Sequence, residues 1–258
     1  MLMIRKQKYG ALLTGLLVLF FLSGCAWFKT EDTRPAHELA RDGMEEYKAA
    51  NYTKAIENFE RLKDWYPFSK YAILAELKIG DAYYKKEEYE DAVFAYEEFI
   101  NLHPRNEAVP YVMYQIARCY FDQVGTVDRD QANAQKAFES FSKLVERYPA
   151  DGYARKARPH IAACIKSLAG HDLYVGRFYF KKRYYKAALS RFTAVLTDYP
   201  DVGLQHDALQ YIALCEAEIA RADDGSRHYG PQKSAEQPEP AAQGELTISP
   251  GTGSSGAE

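Results

Sequence analysis

The sequence lacks the residue patterns on which most metalloproteins and cofactor-dependent enzymes rely. It has no C-x-x-C pair and no His/Cys spacing suited to a metal ion, so we predict no metal site. It also lacks a phosphate-binding P-loop and a glycine-rich dinucleotide fingerprint, so we expect no cofactor. None of the six His residues stands in a recognisable pairing with a Ser or Cys nucleophile. These absences argue against an enzyme, although catalytic groups can also be assembled from distant positions.

Basic stretches and cysteines are scarce as well. The net charge is -3 and no basic stripe is present, so nucleic acid is not an expected partner. Besides Cys25 near the N-terminus there are three further cysteines, and an odd number leaves at least one thiol unpaired. Apolar helical sequence surrounds Cys119, Cys164 and Cys215, which favours buried thiols over a disulfide and leaves their redox state open.

Residues 1–24 have the organisation of a bacterial lipoprotein signal peptide. Three basic residues precede the apolar stretch at residues 11–22, which is too short to remain as a membrane-spanning helix. The stretch ends in the sequence LSGC, which resembles a lipobox and implies that Cys25 becomes the acylated first residue of the mature protein. The alternative is an ordinary secretory signal in which Cys25 occurs by chance.

A lipid anchor at Cys25 would hold a folded body at a membrane without a spanning helix, because each buried CH₂ contributes about 0.8 kcal/mol. Residues 25–35 then form a polar, lipidated tether. Ala26 follows the cysteine, which by resemblance to lipoprotein sorting rules favours the outer membrane over the inner membrane. We therefore expect lipid anchoring through Cys25 at the periplasmic face of the outer membrane.

A spacing of small, aromatic and proline residues recurs four times and is typical of tetratricopeptide repeats. Each such repeat is a pair of antiparallel helices, termed helix A and helix B. A small residue on helix A allows close approach of helix B, rings fill the seam between them, and a proline ends helix B. The second copy, residues 73–104, shows the marks most completely, with Gly80, Tyr83, Ala92, Tyr96, Phe99 and Pro104.

The same marks fit residues 36–67 and 169–200, and another copy ends at Pro149. In that third copy roughly 8 additional residues separate the marks of helix A and helix B, and they lie within residues 123–133. An additional helix before the fourth copy contains Pro159, which either kinks it or marks its first turn. The predicted helices of the first three copies and the additional helix are 36–50, 52–66, 71–86, 89–102, 109–122, 131–147 and 154–168.

The fold class that follows is all-α: a tetratricopeptide-repeat solenoid of about four to five helix pairs over residues 36–220. A lone helix at 204–220 has the polar residues expected of an end cap. Residues 221–258 are rich in Gly, Ser, Pro, Ala and Glu. We predict that this tail is disordered, because it can bury too little apolar surface to offset the loss of conformational entropy.

Repeat arrays of this kind carry a concave groove lined mainly by helix A, and such a groove suits an extended peptide. The predicted lining is aromatic with a few cations, so it fits apolar or aromatic side chains and a terminal carboxylate. Some of these residues could instead only pack on neighbouring repeats. The Asn-based carboxylate clamp of chaperone-binding repeats is absent, because Met44 and Asp81 occupy its position. The candidate lining residues are Met44, Tyr47, Lys48, Leu77, Tyr84, Lys85, Tyr111, Tyr114 and Arg118.

Several longer runs resemble the BamD (YfiO) family, lipoproteins of the outer-membrane β-barrel assembly machine. They are the LSGC lipobox, WYPFSKYA at 65–72, PYVMYQIA at 110–117, and the runs at 82–104, 127–149 and 184–200. The resemblance implies a non-enzymatic periplasmic scaffold. It further implies an N-terminal groove that recognises C-terminal segments of unfolded outer-membrane proteins, and a C-terminal half that docks to a POTRA domain of the insertase BamA.

For the BamA contact the first candidate is Arg191, on helix B of the fourth copy; the alternative is a solvated helix charge. The family's fifth repeat has a second helix, whereas the sequence after Ala220 shows little helical periodicity. This departure leaves open whether other lipoproteins of the assembly machine bind as they do in relatives.

Two other functions stay open at this point. A pilotin that escorts a secretin would share the lipid anchor and the helix pairs, but it should lack the PYVMY run and the insertion in the third copy. An envelope enzyme would need a cluster of groups with perturbed pKa values, which no stretch visibly supplies.

Overall fold

A computed structural model describes residues 34–199 and 201–228 of the chain. In these two ranges the backbone forms nine α-helices and no strand, which confirms the all-α prediction. The predicted signal peptide, Cys25, most of the tether, Pro200 and residues 229–258 lie outside the described residues. The helices are α1 (Ala36–Lys48), α2 (Tyr52–Trp65), α3 (Ala72–Lys85), α4 (Tyr89–Leu102), α5 (Val109–Phe121), α6 (Ala132–Arg147), α7 (Gly152–Lys181), α8 (Tyr185–Thr197) and α9 (Gln205–His228).

The first three helix pairs follow the predicted repeats closely. Helices α1 and α2, α3 and α4, and α5 and α6 each begin and end within about two residues of the predicted bounds, which is the usual uncertainty of helix ends. Consecutive helices from α1 to α6 pack on one another, and α8 packs on α9. Each repeat therefore buries its apolar face against its neighbours, as a stacked array requires.

Two helices differ from the prediction. The additional helix and helix A of the fourth repeat form one continuous helix, α7, so Pro159 lies inside it and does not mark a first turn. Helix α9 runs to His228 instead of ending at Ala220, so residues 221–228 of the predicted tail are helical. These residues are exposed where the structure describes their burial, and Arg221 pairs with Glu218 one turn earlier. A solvated helix end needs no apolar periodicity, which is why the sequence pattern missed it.

In three repeats the turn between helix A and helix B contains a residue with the left-handed backbone conformation. Ala50, Glu87 and Arg183 have φ values of 60°, 62° and 63° at corresponding places. The following amide closes the last turn of helix A, as when the Tyr184 N–H donates to the Tyr179 carbonyl at 3.0 Å. In the third repeat residues 122–131 form a longer connection in place of this turn, which is where the predicted insertion is accommodated.

The seam of each pair depends on one close contact between a small residue on helix A and a ring on helix B. A Cβ atom added to the glycine would lie 2.6 Å from a carbon of Phe59, Tyr96 or Phe192, and all three rings are fully buried. At Gly80 the three nearest atoms would all belong to the Tyr96 ring. We name the two places the small position (Gly43, Gly80, Ala117 and Gly176) and the ring position (Phe59, Tyr96, Phe141 and Phe192).

The chain divides into two compact units, with unit one ending at Leu168 and unit two beginning at Ala169. Unit one contains three buried clusters, centred on Phe59, on Tyr96 with Phe99, and on Phe141. Unit two contains one cluster, centred on Phe192. In the part of the chain that the structure describes, no helix is both long and apolar enough to cross a membrane.

The three cysteines of the repeat domain are buried, and none is in a disulfide. Each belongs to a different cluster, so their side chains serve as small apolar groups in separate cores. Burial raises the pKa of the Cys119 thiol to about 12 and that of Cys164 to about 11. Burial also raises the pKa of Cys215. All three are therefore thiols and poor nucleophiles at neutral pH.

Replacing Gly80 with Ala is expected to lower the free energy of unfolding by about 1–3 kcal/mol. The new methyl group would lie 2.6 Å from the Tyr96 ring, which is fully buried and cannot move aside. The measurement is the urea concentration at the midpoint of unfolding, monitored by circular dichroism.

The matched control is Gly152→Ala, at the start of α7, where the added methyl group would lie 3.7 Å from the end of the Arg155 side chain, an ordinary van der Waals distance. This variant should keep or slightly raise the midpoint, because Ala favours helix over Gly by roughly 1 kcal/mol. Equal midpoints for both variants would contradict the role of the small position.

Candidate functional site

In unit one the first helices of the repeats, α1, α3 and α5, contact one another and the start of α7 through polar and aromatic side chains. Lys78 of α3 lies 5.0 Å from the ring centre of Tyr47 on α1. The hydroxyl of Tyr111 on α5 donates a hydrogen bond to Asp81 on α3 at 2.6 Å. The ring centre of Tyr111 lies 5.3 Å from that of Tyr153 on α7. We name this surface the helix-A face. It coincides with the surface on which the sequence predicts a peptide groove.

A buried carboxylate lies at the centre of the helix-A face. Asp81 is only 3% exposed. Its Oδ1 accepts hydrogen bonds from the hydroxyls of Tyr96 at 2.8 Å and Tyr111 at 2.6 Å, and its Oδ2 accepts one from Lys78 Nζ at 2.6 Å. These four residues form the Asp81 cluster. The three donors compensate the desolvation of the charge, which would otherwise be strongly destabilising.

The repeat pattern explains why a carboxylate occurs there. Three repeats place Phe at the ring position, whereas the second repeat places Tyr96 there and buries its hydroxyl completely. A buried hydroxyl without a partner is destabilising, and Asp81, directly after Gly80, supplies the acceptor. The residues at the place of Asp81 in the other repeats are Met44, Arg118 and Arg177.

Burial and the charge of Asp81 keep the surrounding tyrosines protonated. Burial first, and then the negative charge of Asp81, raise the pKa of Tyr96 and of Tyr111 well above the usual range. The same two causes raise the pKa of Tyr47 to about 12. At neutral pH these hydroxyls are therefore hydrogen-bond donors, and their rings offer aromatic surface.

A second polar cluster joins α3 and α5 further along the face. Arg118 Nη2 donates to both carboxylate oxygens of Asp122, each at 3.0 Å, and Nε donates to Oδ1 at 3.2 Å. The Tyr84 hydroxyl also donates to Asp122. Burial, followed by this hydrogen bond, raises the pKa of Tyr84. Tyr84, Arg118 and Asp122 form the Arg118 cluster. Its hydrogen bonds hold the guanidinium in place, and 29% of the Arg118 side chain is exposed.

Aromatic rings from α5 and α7 continue the face. Tyr114 packs against Tyr153 with ring centres 5.5 Å apart, and its hydroxyl hydrogen-bonds to His160 Nε2 at 3.1 Å. His160 stacks on Phe141 at 5.1 Å with an interplanar angle of 10°. Burial, and then the positive charge of Arg118, lower the pKa of His160. His160 is therefore an uncharged part of the aromatic surface at neutral pH.

The predicted groove residues do not all serve the same purpose. Tyr47, Tyr84, Lys85, Tyr111 and Arg118 come together on the helix-A face, where Lys85 Nζ lies 6.0 Å from the Tyr84 ring centre. The remaining four residues lie elsewhere. Met44 packs partly buried against the Phe59 cluster, Leu77 packs partly buried against the Tyr96 cluster, and Tyr114, which is 9% exposed, belongs to the Phe141 cluster. Lys48 is exposed at the end of α1.

Sequence reasoning missed several residues of this face. Tyr96 carried a signal, because it replaces Phe at the ring position, and Asp122 stands four residues after Arg118, where a helix pairs charges. Tyr153 and His160 carried none, since they belong to the additional helix that no repeat mark covers. Only packing of α7 against α5 brings them to the face.

In unit two, Arg191 has a structural partner. Its Nη1 donates to Asp172 Oδ1 at 2.8 Å, and Asp172 is 8% exposed. Burial first, and then the charge of Asp172, raise the pKa of the neighbouring Tyr199. Arg191 thus neutralises a buried carboxylate and is more than a solvated helix charge. Unit two also exposes large apolar side chains, namely Tyr174, Phe178, Tyr184, Leu209 and Leu214.

A cavity of about 370 Å³ lies elsewhere in unit one, between α4, α5 and α6. Ile100, Met113 and Ile116 form its apolar lining, and Glu97, Lys143 and Arg147 are among its polar residues. Glu97 is the one carboxylate in the lining, so the cavity lacks the pair of acids typical of acid–base hydrolysis. Within residues 34–199 and 201–228, no three His, Cys, Asp or Glu side chains are grouped to hold a metal ion.

Tyr47 is expected to titrate with a pKa of about 12, against an ordinary value of 10.0. Because this pKa is higher in the folded protein, the associated stability is fully present below about pH 10 and is lost as the pH rises through about 12. The measurement is an NMR titration of isotope-labelled tyrosine Cζ, with the Tyr47 signal identified by its absence in Tyr47→Phe. In Asp81→Asn the pKa should fall but stay above its ordinary value, since burial is the larger cause. An unchanged pKa in Asp81→Asn would contradict the electrostatic role of Asp81.

Comparisons with known proteins add an independent observation. The chain is 31% identical over 233 residues to the outer membrane protein assembly factor BamD of Caulobacter vibrioides, covering 88% of this chain and 76% of that protein. It is 29% identical to the BamD of Vibrio cholerae, covering 82% of this chain and 95% of that protein. A solved structure described as the TPR2AB-domain:pHSP90-complex of yeast Sti1 covers 73% of this chain and 72% of its own, with 18% identity and a TM-score of 0.40.

The family model named YfiO, described as outer membrane lipoprotein, matches residues 32–226. That range includes all four repeats and nearly the whole of α9. The family resemblance is thereby confirmed, with the WYPFSKYA and PYVMYQIA runs inside the matched range, and the chain belongs to the YfiO family of outer membrane lipoproteins.

Proposed function

We propose that this chain is a non-enzymatic scaffold for assembly of outer-membrane β-barrel proteins, anchored through Cys25 at the periplasmic face of the outer membrane. Unit one binds the C-terminal segments of unfolded outer-membrane proteins on the helix-A face, and unit two docks to a POTRA domain of BamA. The relatives named outer membrane protein assembly factor support the general role. The observation that carries the peptide-binding part is the helix-A face, with its tyrosine rings and fixed cations.

The chemistry of the helix-A face matches an extended peptide that ends in an aromatic residue and a carboxylate. Tyr47, Tyr84 and Tyr111 offer ring surface with protonated hydroxyls, which suits aromatic side chains and backbone carbonyls. Arg118 offers a guanidinium whose orientation is already fixed by Asp122. Because less side-chain entropy is lost on binding, a preorganised cation recognises a carboxylate more strongly than a mobile one.

The charges on the face indicate the direction in which a peptide lies. Lys78 is bonded to buried Asp81, so its charge is largely neutralised, and Asp81 would repel a second carboxylate. In the Arg118 cluster Asp122 likewise balances the charge of Arg118, but Lys85, with its Nζ 6.0 Å from the Tyr84 ring centre, adds a second cation, so this end of the face has a net positive charge. We therefore place the peptide's terminal carboxylate at Arg118 and Lys85, and its upstream side chains near the Asp81 cluster.

Non-enzymatic binding is favoured over catalysis by the state of the carboxylates on this face. Asp81 accepts three hydrogen bonds, and Asp122 is engaged by Arg118 and Tyr84. Carboxylates held in this way are poor general bases, because a proton transfer would break the contacts that hold them. The face is consequently suited to recognition.

For docking to BamA, unit two offers exposed apolar side chains. Leu209 is 55% exposed and Leu214 45% exposed on α9, and Phe178 on α7 is 52% exposed. Exposed apolar groups of this kind mark protein interaction surfaces. Arg191, with 38% of its side chain exposed, could add a polar contact, although it also balances Asp172.

The peptide-binding part predicts a specific thermodynamic cycle. A fluorescent peptide with a C-terminal Phe should bind about tenfold more tightly as the free acid than as the amide, as expected for one charge-assisted hydrogen bond. In Arg118→Ala this difference should largely disappear, because the group that reads the carboxylate is gone. The measurement is fluorescence anisotropy at fixed salt concentration.

The matched control is Lys54→Ala, which removes an exposed cation from helix α2, away from the A helices. It should retain the full difference between acid and amide. Equal binding of acid and amide to the unaltered protein, or an equal loss in Lys54→Ala, would overturn the assignment of Arg118.

The docking part predicts which proteins copurify with the tagged, lipidated chain after mild detergent extraction. A barrel protein that carries POTRA domains should be recovered, and Leu209→Glu with Leu214→Glu should abolish its recovery. Arg191→Glu is unsuitable, because it would place a second carboxylate beside buried Asp172. Arg191→Lys keeps the positive charge. A loss of recovery in this variant, with an unchanged thermal midpoint, would therefore assign a contact with BamA to the guanidinium.

The outcomes separate the functions that the sequence leaves open. Recovery of a secretin in place of the POTRA-bearing barrel would favour a pilotin and contradict the proposed scaffold. Recovery of neither would also contradict it. Thermal unfolding of each variant controls for loss of the fold in unit two.

A further inference from the structure

Exposed apolar residues lie at the end of α2, in the connection to α3 and in the first turn of α3, where Leu74 is exposed beside Ile73. Phe68 is 101% exposed, Trp65 is 43% exposed and Ile73 is 38% exposed. Trp65 and Phe68 belong to the WYPFSKYA run and Ile73 directly follows it, and none of the three is part of the buried clusters of unit one or of the helix-A face. We name Trp65, Phe68 and Ile73 the aromatic loop. Exposed apolar groups that cluster in this way need an occupant more than single ones do.

The aromatic loop is an ordered turn and not a loose segment. The Ser69 N–H donates to the Tyr66 carbonyl at 2.9 Å, which makes Pro67 and Phe68 the two central residues of a tight turn. The Ala72 N–H donates in turn to the Ser69 carbonyl at 2.9 Å and leads into α3. The backbone thus fixes Phe68 in its outward position, so its exposure is built into the fold.

The tether from the predicted lipid anchor enters the fold at the aromatic loop. The Tyr66 hydroxyl donates to the Arg34 carbonyl at 3.0 Å, and Arg34 pairs with Asp42 of α1 at 3.1 Å. Tyr66 therefore holds the end of the tether with its hydroxyl and the turn of the aromatic loop with its carbonyl. Eight residues lie between Cys25 and Arg34, so the nine Cα–Cα steps from one to the other span at most about 30 Å.

We infer that the aromatic loop inserts into the interfacial layer of the phospholipid bilayer in which Cys25 is anchored. Trp and Phe side chains partition into this layer, and the exposed Lys70, 5.1 Å from the Tyr71 ring centre, is suited to anionic headgroups. The short tether keeps the loop at a high effective concentration near the membrane, so a weak contact suffices. The inference depends on the proposed lipid anchor and goes beyond it, because an anchor alone would leave the orientation of unit one free.

The two tryptophans of the chain, Trp27 and Trp65, make the inference measurable. The lipidated full chain with Trp27→Phe carries Trp65 as its sole tryptophan, and it is reconstituted in vesicles of phosphatidylethanolamine and phosphatidylglycerol. Brominated acyl chains should quench Trp65 emission, and the emission should shift to shorter wavelength. Phe68→Ser should remove at least about half of the quenching, because the turn then loses its main inserting side chain.

The matched control is Phe94→Ser, which removes another exposed phenylalanine, 71% exposed on α4, from the same unit. It should leave the quenching unchanged. Both phenylalanines are exposed, so neither variant should change the thermal midpoint of the fold.

Each alternative has its own result. Protein that floats with vesicles but shows no quenching of Trp65 would overturn the membrane contact and leave the anchor intact. Protein that fails to float, with no acyl chain on Cys25 by mass spectrometry, would overturn the anchor itself. A shift of Trp65 emission without vesicles that grows with protein concentration would assign the aromatic loop to a second copy of the chain and overturn the inference.

Discussion

The close contact between a small residue on helix A and a buried ring on helix B is the constraint on which the structure depends. At Gly43, Gly80 and Gly176 there is no room for a Cβ atom, so the distance between the two helices of a pair is set by the thickness of a ring. The contact recurs in three repeats, with Phe59, Tyr96 and Phe192 as the rings. Because neighbouring repeats share their buried clusters, the contact also fixes how one repeat stacks on the next.

The Asp81 cluster of the helix-A face arises from one variation on that contact. Tyr96 keeps the ring contact with Gly80 but adds a hydroxyl, and the hydroxyl requires Asp81. Buried Asp81 accepts hydrogen bonds from Lys78 of the same helix and from Tyr111, which joins α3 to α5. Lys78 also contacts the ring of Tyr47 on α1. A packing residue of one seam thereby organises the polar surface that we propose to bind peptides. Stability and recognition are linked here, since any change to Asp81 alters both.

Membership in a family of outer membrane lipoproteins gives the exposed parts of unit one a physical context. The helix-A face has fixed cations and protonated tyrosines, which suit a peptide. The aromatic loop has an ordered turn beside the entry of the tether, which suits a bilayer. In unit two the pairing of Arg191 with buried Asp172 shows why a cation chosen from sequence alone is an ambiguous docking residue: its charge already balances a carboxylate within the fold.

The sequence by itself determined the repeat marks, the positions of six helices to within about two residues, and the family, because these depend on local spacing and on rings that fill a seam. Only the tertiary structure decided which marked residues face each other, as when Gly80 meets the Tyr96 ring. It also decided the fusion of two predicted helices into α7, and the arrival of Tyr153 and His160 at the helix-A face. These features depend on contacts between residues far apart in the chain, and such contacts leave no periodic trace in the sequence.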